Sequence, residues 1–290
     1  MFTSIVIHIS PQEISSITVN TGGLIREWYL SLIRQIDPQS ADELEAGDSL
    51  RPYTLSNLVG LGPIQRGQRS LSPERIGWLR ITALTAEHSH LLIDKLIPLI
   101  RTTGLIAFGG VSFCVKDIST QNTTHRWAGQ STPQNLITAG SLTLNMSRRL
   151  EVNFFSPTCF RSDGSSIPFP IPKLVFGNLL RRWNTFSPIK LHPETRSFIE
   201  AKMVVSRYKL RTQTVHVGEG EVVGMIPGCK GSCVYYIQSS DKYWIGTVRT
   251  LASFAFYAGI GTRTTLGMGQ AVFSQWIANG PNTAVSNFSL

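Results

Sequence analysis

Cysteine, net acidity and long apolar runs are all scarce in this chain. Only four of its 290 residues are cysteine, Cys114, Cys159, Cys229 and Cys233. That is too few for a disulfide scaffold at this length. Cys229 and Cys233 form a C-x-x-x-C pair, but no second ligand pair of suitable spacing follows, so two free thiols in a loop are expected in place of a zinc site. No apolar run approaches the ~18–20 residues of a membrane span. The opening MFTSIVIHIS places no basic region ahead of its apolar part, so it reads as a strand and not as a secretory signal. A cytoplasmic protein without membrane contact is expected. Charged residues make up 16% and hydrophobic ones 42%, which excludes a disordered chain and allows a sizeable core.

The charge that is present leans one way. Lys and Arg number 27 against 18 Asp and Glu, a net +9 with a pI near 9.7. A basic excess of this kind favours polyanionic partners, above all nucleic acid. The length suits one large domain or two ordinary ones.

The pattern of periodicity supports two domains. TSIVIHIS reads as a strand and LIREWYLSLIRQI as an amphipathic helix carrying Leu24, Trp28, Leu32 and Ile33, ending at Asp37-Pro38. SADELEAG is a short second helix stopped by Gly47, and RPYTLSNLVG a turn and strand. A strand follows around Gly77 to Leu84, then a long helix with Leu91, Leu92, Leu96 and Leu99 on its apolar side, then one strand in FGGVSFCVKDIS. The polar segment Ser119 to Gln134 reads as a linker or long loop. After a short helix at NLITAGS the same order returns: RRLEVNFFSPTCFR as strand, a helix from about Pro172, strands in AKMVVSRYKLRTQTVHVGEG and CVYYIQSS, a long apolar helix in KYWIGTVRTLASFAFYAGI, and a last strand AVFSQWI. Twice over, this is β-α-β-β-α-β. The fold class is therefore α+β, with two tandem ferredoxin-like (RRM-like) domains, 1–130 and 131–290.

Between the last helix and last strand lies GIGTRTTLGMGQ. Nucleotide-binding folds place a glycine loop between strand and helix, so the Rossmann and P-loop readings fail here. Glycines permit close backbone approach and can present amides to an anion, and Arg263 adds a charge suited to phosphate. A C-cap at Gly259 would account for one glycine only. On a predicted strand, Arg207, Lys209 and Arg211 alternate, so their side chains share a face able to track a phosphate backbone, while Tyr208 and Leu210 are expected in the core. Lys190, Lys230, Arg181 and Arg182 add charge nearby in sequence.

The spacing G-x-G-x5-G-x-G at Gly259, Gly261, Gly267 and Gly269, together with NFFSPTCFR, RPYTLSNLVG, PFPIPKLVFGNLLRRWNTFSP and RYKLRTQTV, resembles the CRISPR repeat-processing endoribonucleases, the sixth Cas family of the RAMP superfamily. The resemblance spans most of the chain. It implies RNA binding by Arg207, Lys209, Arg211, Arg263 and the four glycines. It also implies metal-independent cleavage, without cofactor, by attack of a ribose 2′-hydroxyl, with the product retained. Such a reaction needs a base for the 2′ proton, an acid for the leaving 5′ oxygen and a cation near the phosphate.

The family's histidine, at the end of the short second helix, has no counterpart. Glu45 stands there, and no histidine lies between Gly22 and Leu84. Glu45 is either a base whose pKa rises beside phosphate or a solvated glutamate on an acidic helix. Arg26, Tyr29 and Arg51 complete the catalytic candidates, Arg51 matching the family's basic residue before the aromatic-Thr segment. Among the histidines, His8 faces either the RNA or merely the surface and His216 is within reach of RNA, each being read first as a surface or structural residue. His88 and His90 read as exposed polar residues at a helix start, and His125 and His192 as loop residues. The expected partner is CRISPR repeat RNA. The alternative is a non-catalytic repeat-RNA-binding subunit working with other Cas proteins in a multi-subunit effector complex.

Overall fold

The computed structural model describes residues 1–46, 50–141, 147–217 and 224–274. The expected helix stop at Gly47 and the last strand beyond Ser274 lie outside them. The described residues divide into two compact units: 1–130 with 265–267, and 131–264 with 268–274.

In the first unit, β1 (Phe2–Pro11) leads to α1 (Gly22–Ile36), α2 (Pro38–Glu45), β2 (Tyr53–Leu55) and β3 (Gly77–Ala83). α3 (Ala86–His90) then runs through a π-helical stretch, Leu91–Leu96, into α4 (Ile97–Thr103). A hairpin of β4 (Leu105–Phe108) and β5 (Val111–Ser119) completes the unit. The principal strands lie in the order β2-β3-β1-β5-β4, antiparallel throughout. This is the ferredoxin-like order with β4 as an added edge strand. The strand expected in FGGVSFCVKDIS is β5; an additional strand, β4, precedes it, because Gly109 and Gly110, at φ 60° and 74°, reverse the chain between them.

Strand alternation sends Ile5, Ile7 and Ile9 into a core shared with Ile25, Trp28, Tyr29 and Ile33 of α1. Leu24 and Leu32, expected at the centre of that face, pack at its margin. The helix ends where Pro38 forbids helical geometry at Asp37. Asp37 then caps α2, accepting hydrogen bonds from the Ser40 amide at 3.1 Å and the Ser40 hydroxyl at 2.6 Å. The opposite face of β1 is covered by part of the segment expected as a linker. Arg80 donates to Ser4 Oγ at 2.8 Å and to the Trp127 carbonyl at 3.1 Å, with its guanidinium 4.8 Å above the Trp127 ring.

The second unit holds α5 (Pro133–Ser141), β6 (Arg149–Thr158), α6 (Pro172–Phe186), α7 (Thr195–Lys202), β7 (Met203–Val217), β8 (Gly224–Ile237), α8 (Lys242–Ala258) and β9 (Ala271–Phe273). Its sheet order, β7-β8-β6-β9, repeats the ferredoxin-like pattern. Leu150, Val152 and Phe154 of β6 face Phe176, Leu179 and Trp183 of α6 and the largely buried α8 in the core. Cys229 and Cys233, expected in a loop, are buried in β8, where the apolar surroundings push their thiols up to about 12 and about 11. They are inert core residues.

Within the first unit, the N-terminus of α1 is tightly framed. A Cβ on Gly22 would lie 2.1 Å from the Leu266 carbonyl oxygen, whereas one on Gly23 would meet nothing within 4 Å. Gly22→Ala is therefore expected to cost about 1–3 kcal/mol through overpacking. Gly23→Ala should be neutral or stabilise by up to ~1 kcal/mol through helix propensity. Thermal melts of the two variants check this; equal melting temperatures would refute the packing role of Gly22.

Candidate functional site

The catalytic candidates of the first unit converge on one region. Arg51 follows the end of α2, and its guanidinium donates to the carbonyls of Ala46 at 2.8 Å and Glu45 at 3.0 Å. It thereby satisfies the free carbonyls of that helix end. Glu45 is exposed at the same end, and Arg34 of α1 contacts its carboxylate at 3.0 Å. Tyr53, at the start of β2, is buried beside them. Burial pushes its hydroxyl above the usual tyrosine range, while Arg26 and then Arg51 oppose that rise and Glu45 adds to it. Arg26, Glu45, Arg51 and Tyr53 are thus electrostatic neighbours.

Tyr29 lies deeper. It is 0% exposed, packs 5.1 Å from the Tyr53 ring and shares a 2.7 Å hydrogen bond with His88 Nε2. Burial raises its pKa well above the tyrosine range, so it is a neutral hydroxyl held by His88. His88 is the correction here. Expected as an exposed polar residue, it is 5% exposed and stacks on Tyr53 with ring centroids 5.6 Å apart. Burial pushes its pKa down to about 4, so at neutral pH it is an uncharged acceptor or donor. A cleft of about 480 Å³ opens over this region, lined by Glu43, Arg51, His88, His90, Asp94 and Lys95 among others. The adjoining π-helical stretch is a feature frequent at functional sites. No sequence signal marked Tyr53 or His88 for this cluster except the aromatic-Thr motif containing Tyr53.

The other histidines are dispersed. His90 meets Asp94 at 3.2 Å on the surface. His8 approaches Ser119 Oγ at 3.3 Å and packs edge-on to His125 at 5.2 Å, under the covering segment. Burial, then His8, push His125 down to about 4. His216 is exposed on β7. Among the described residues no group of three or more His, Cys, Asp or Glu is placed to hold a metal ion.

The glycine-rich segment is a packing device. Gly259, Gly261, Gly267 and Gly269 are all buried, with φ between 63° and 87°, a conformation that disfavours side chains. Cβ atoms on Gly261 and Gly269 would lie 2.4 Å from the Cys159 carbonyl oxygen and 2.2 Å from that of Ile260. The amides expected to face an anion are largely engaged within the protein. Gly261 donates to Asn178 Oδ1 at 3.0 Å, Thr262 to Cys159 at 2.8 Å, Gly269 to Pro157 at 3.0 Å and Ile260 to Gly269 at 2.8 Å. Arg263 is the exposed charge of the segment, at φ 56°.

The basic strand is β7, the edge of its sheet. Arg207, Lys209 and Arg211 are exposed on one face, and Arg211 stands directly opposite Lys230 of β8. Burial and then Arg211 lower the Lys230 pKa. Like charges opposed across a ladder are unfavourable without a counter-charge, which suits a polyanion-binding face. Tyr208, expected in the core, is 60% exposed, because it stands on the edge strand of the sheet, while its ladder partner Cys233 on the inner strand is buried. Lys190 donates to the carbonyls of Asn184 and Ser187, closing the end of α6, and Arg182 is buried in α6.

Comparison with known proteins places these features. A family model described as "CRISPR-associated endoribonuclease Cas6" matches residues 152–271. Residues 152–271 are thus similar to that family. A Cas6 endoribonuclease of Streptococcus thermophilus is 28% identical over 118 residues, 40% of this chain and 46% of that relative. One of Mycobacterium tuberculosis is 26% identical over 124 residues, 42% of this chain and 38% of the relative. The matches thus span under half the length of these curated relatives. Two solved Cas6 product complexes extend the likeness in fold. One, from Thermus thermophilus, has a TM-score of 0.76 at 21% identity, covering 94% of this chain and all of that one. The other has a TM-score of 0.72 at 26% identity, covering 94% and 98%. The two ferredoxin-like units thus share the fold of solved Cas6 structures, and the family match contains the glycine-rich segment and the basic hairpin.

The depressed His88 and His125 pKa values have a consequence for stability. Both groups are neutral in the folded state between about 4 and 6.5, where the unfolded chain is protonated. Stability is therefore full above pH 6.5 and declines as the pH falls toward 4. Urea melts across that window should show this, and His88→Gln should flatten the slope. An unchanged slope in that variant would show that His88 titrates normally.

Proposed function

We propose that this chain binds CRISPR repeat RNA in the precursor transcript and cleaves it without metal, by attack of the 2′-hydroxyl adjoining the scissile phosphate, then stays bound to its product. The observation that supports this most directly is that Arg51 closes the helix end carrying Glu45 beside the buried Tyr53, with Arg26 an electrostatic neighbour of that ring. In this reading Arg51 and Arg26 stabilise the charge that develops on the pentavalent phosphate. Arginine does not act as the base. Glu45 accepts the 2′ proton after release from Arg34, whose 3.0 Å contact is exposed and weak; as the P–O5′ bond breaks, the leaving 5′ oxygen takes its proton from water. Tyr29, held by His88, orients Tyr53 and does not touch the RNA. Arg207, Lys209, Arg211 and Arg263 contact phosphates, and the four glycines shape the surface that presents Arg263. A site without histidine cuts slowly, because in-line positioning and charge stabilisation persist while proton transfer weakens.

One observation favours the second reading, a non-catalytic repeat-RNA binder in a multi-subunit effector with other Cas proteins. The residue in the histidine position is a carboxylate already paired with Arg34. Incubating labelled repeat RNA with purified protein in EDTA separates the two. Cleavage leaving a 2′,3′-cyclic phosphate supports the first, and tight binding without cleavage the second. If the first holds, Arg51→Ala should slow single-turnover cutting by tenfold or more, on the order of an oxyanion-stabilising donor, with a smaller loss of affinity. Equal losses would reduce Arg51 to a phosphate anchor. Glu45→His should raise the rate; no gain would place the base elsewhere. Replacing Arg207, Lys209 and Arg211 together by Ala should reduce the slope of log Kd against log salt by roughly 2.

A further inference from the structure

The misplaced tyrosine on β7 carries an inference of its own. Tyr208 is 60% exposed and Phe169 is 38% exposed, and their rings meet edge to face with centroids 5.5 Å apart and planes at 86°. Tyr208 pairs in the ladder with Cys233, which is 0% exposed. It therefore lies on the helix side of the sheet, at the edge strand. Arg207 and Lys209 alternate to the other side. Phe169 is set by a rigid turn, Pro168-Phe169-Pro170, whose Pro170 carbonyl accepts a 2.7 Å hydrogen bond from the buried Tyr235 hydroxyl. The Ile171 amide donates to the Phe169 carbonyl at 3.0 Å, closing the turn. The two rings thus form a preorganised corner with open ring surface, on an element whose other side is cationic.

Edge protection explains cations on an outer strand, but it does not explain an exposed aromatic pair beside them. Two rings are also far smaller than the roughly 800 Å² per partner of a stable protein interface. They match one nucleobase, and aromatic platforms flanked by cations are the general means of holding single-stranded nucleic acid. We infer that Phe169 and Tyr208 form a stacking site for one unpaired base of the RNA whose phosphates run along Arg207, Lys209 and Arg211. The inference rests on the RNA-binding reading above. It adds a second class of contact: the hairpin takes phosphates on one face and an extruded base on the other, which favours RNA with an unpaired flank over a blunt stem.

The test uses two probes, a single-stranded oligoadenylate carrying 2-aminopurine and a blunt RNA hairpin, with the full-length chain. Tyr208→Ala should weaken oligoadenylate binding about tenfold, the scale of one lost base stack. It should also abolish the 2-aminopurine quench while leaving hairpin affinity and the salt slope unchanged. Tyr208→Phe should restore both affinity and quench. Lys209→Ala should weaken both probes and lower the salt slope, a different signature. Tight oligoadenylate binding by the wild type, matched by Tyr208→Ala, would overturn the stacking site and leave RNA binding intact. Failure of the wild type to bind either probe would overturn both. Because Tyr208 is exposed, its variants should melt with the wild type.

Discussion

The first unit is organised around the seating of one helix end. Gly22, at the start of α1, donates its amide to Asn57 Oδ1 at 2.8 Å, and Thr21 Oγ1 accepts from the Leu58 amide at 2.7 Å. A side chain at Gly22 would strike the backbone of Leu266. Ser56 forms a bridge to Gly267 and accepts the Arg80 amide at 2.8 Å. The free amides of a helix start need partners, and Asn57, just after β2, supplies one of them, while the Leu58 amide ties down Thr21 ahead of the helix. The direction of α1 follows from that, and with it the positions of Arg26, Tyr29 and Arg34. RPYTLSNL thus has two jobs in eight residues. Its first half brings Arg51 and Tyr53 to the site, and its second half anchors the helix that carries the facing residues.

The glycine-rich segment shows the same economy. Its glycine content suggests amides open to an anion, but the structure uses the glycines for close backbone approach and positive φ, and most of the surrounding amides donate internally. Whatever this segment offers to RNA comes through Arg263 and through the shape of the surface, not through a row of open amides. Electrostatics favour the same separation of roles on β7. Its cations stand against one another and against Lys230, an arrangement that a polyanion relieves, while Tyr208 of the aromatic pair lies on the other side of the strand.

Much of this architecture was legible in order and periodicity. Both βαββαβ units, the start of α6 at Pro172 and the alternating cations on β7 follow from patterns of apolar residues, proline and charge. The cysteines and Tyr208 were misplaced for opposite reasons. A C-x-x-x-C pair with glycines looks like a loop, yet β8 is long enough to bury it. Alternation predicts a buried Tyr208, yet the strand that carries it is the edge of its sheet and leaves that side chain open. His88 was missed because a helix start is ordinarily exposed, and only the fold stacks it on Tyr53.

By itself, the chain's sequence determined the repeated element order, the basic balance and the residue types available for phosphate chemistry, because these depend on local periodicity and composition. Tertiary structure alone decided which polar groups are spent on the fold and which remain for a ligand. Arg34 claims Glu45, Tyr29 is enclosed with His88, and the loop amides bond inward. Those outcomes depend on distances between residues far apart in the chain, which no local pattern encodes.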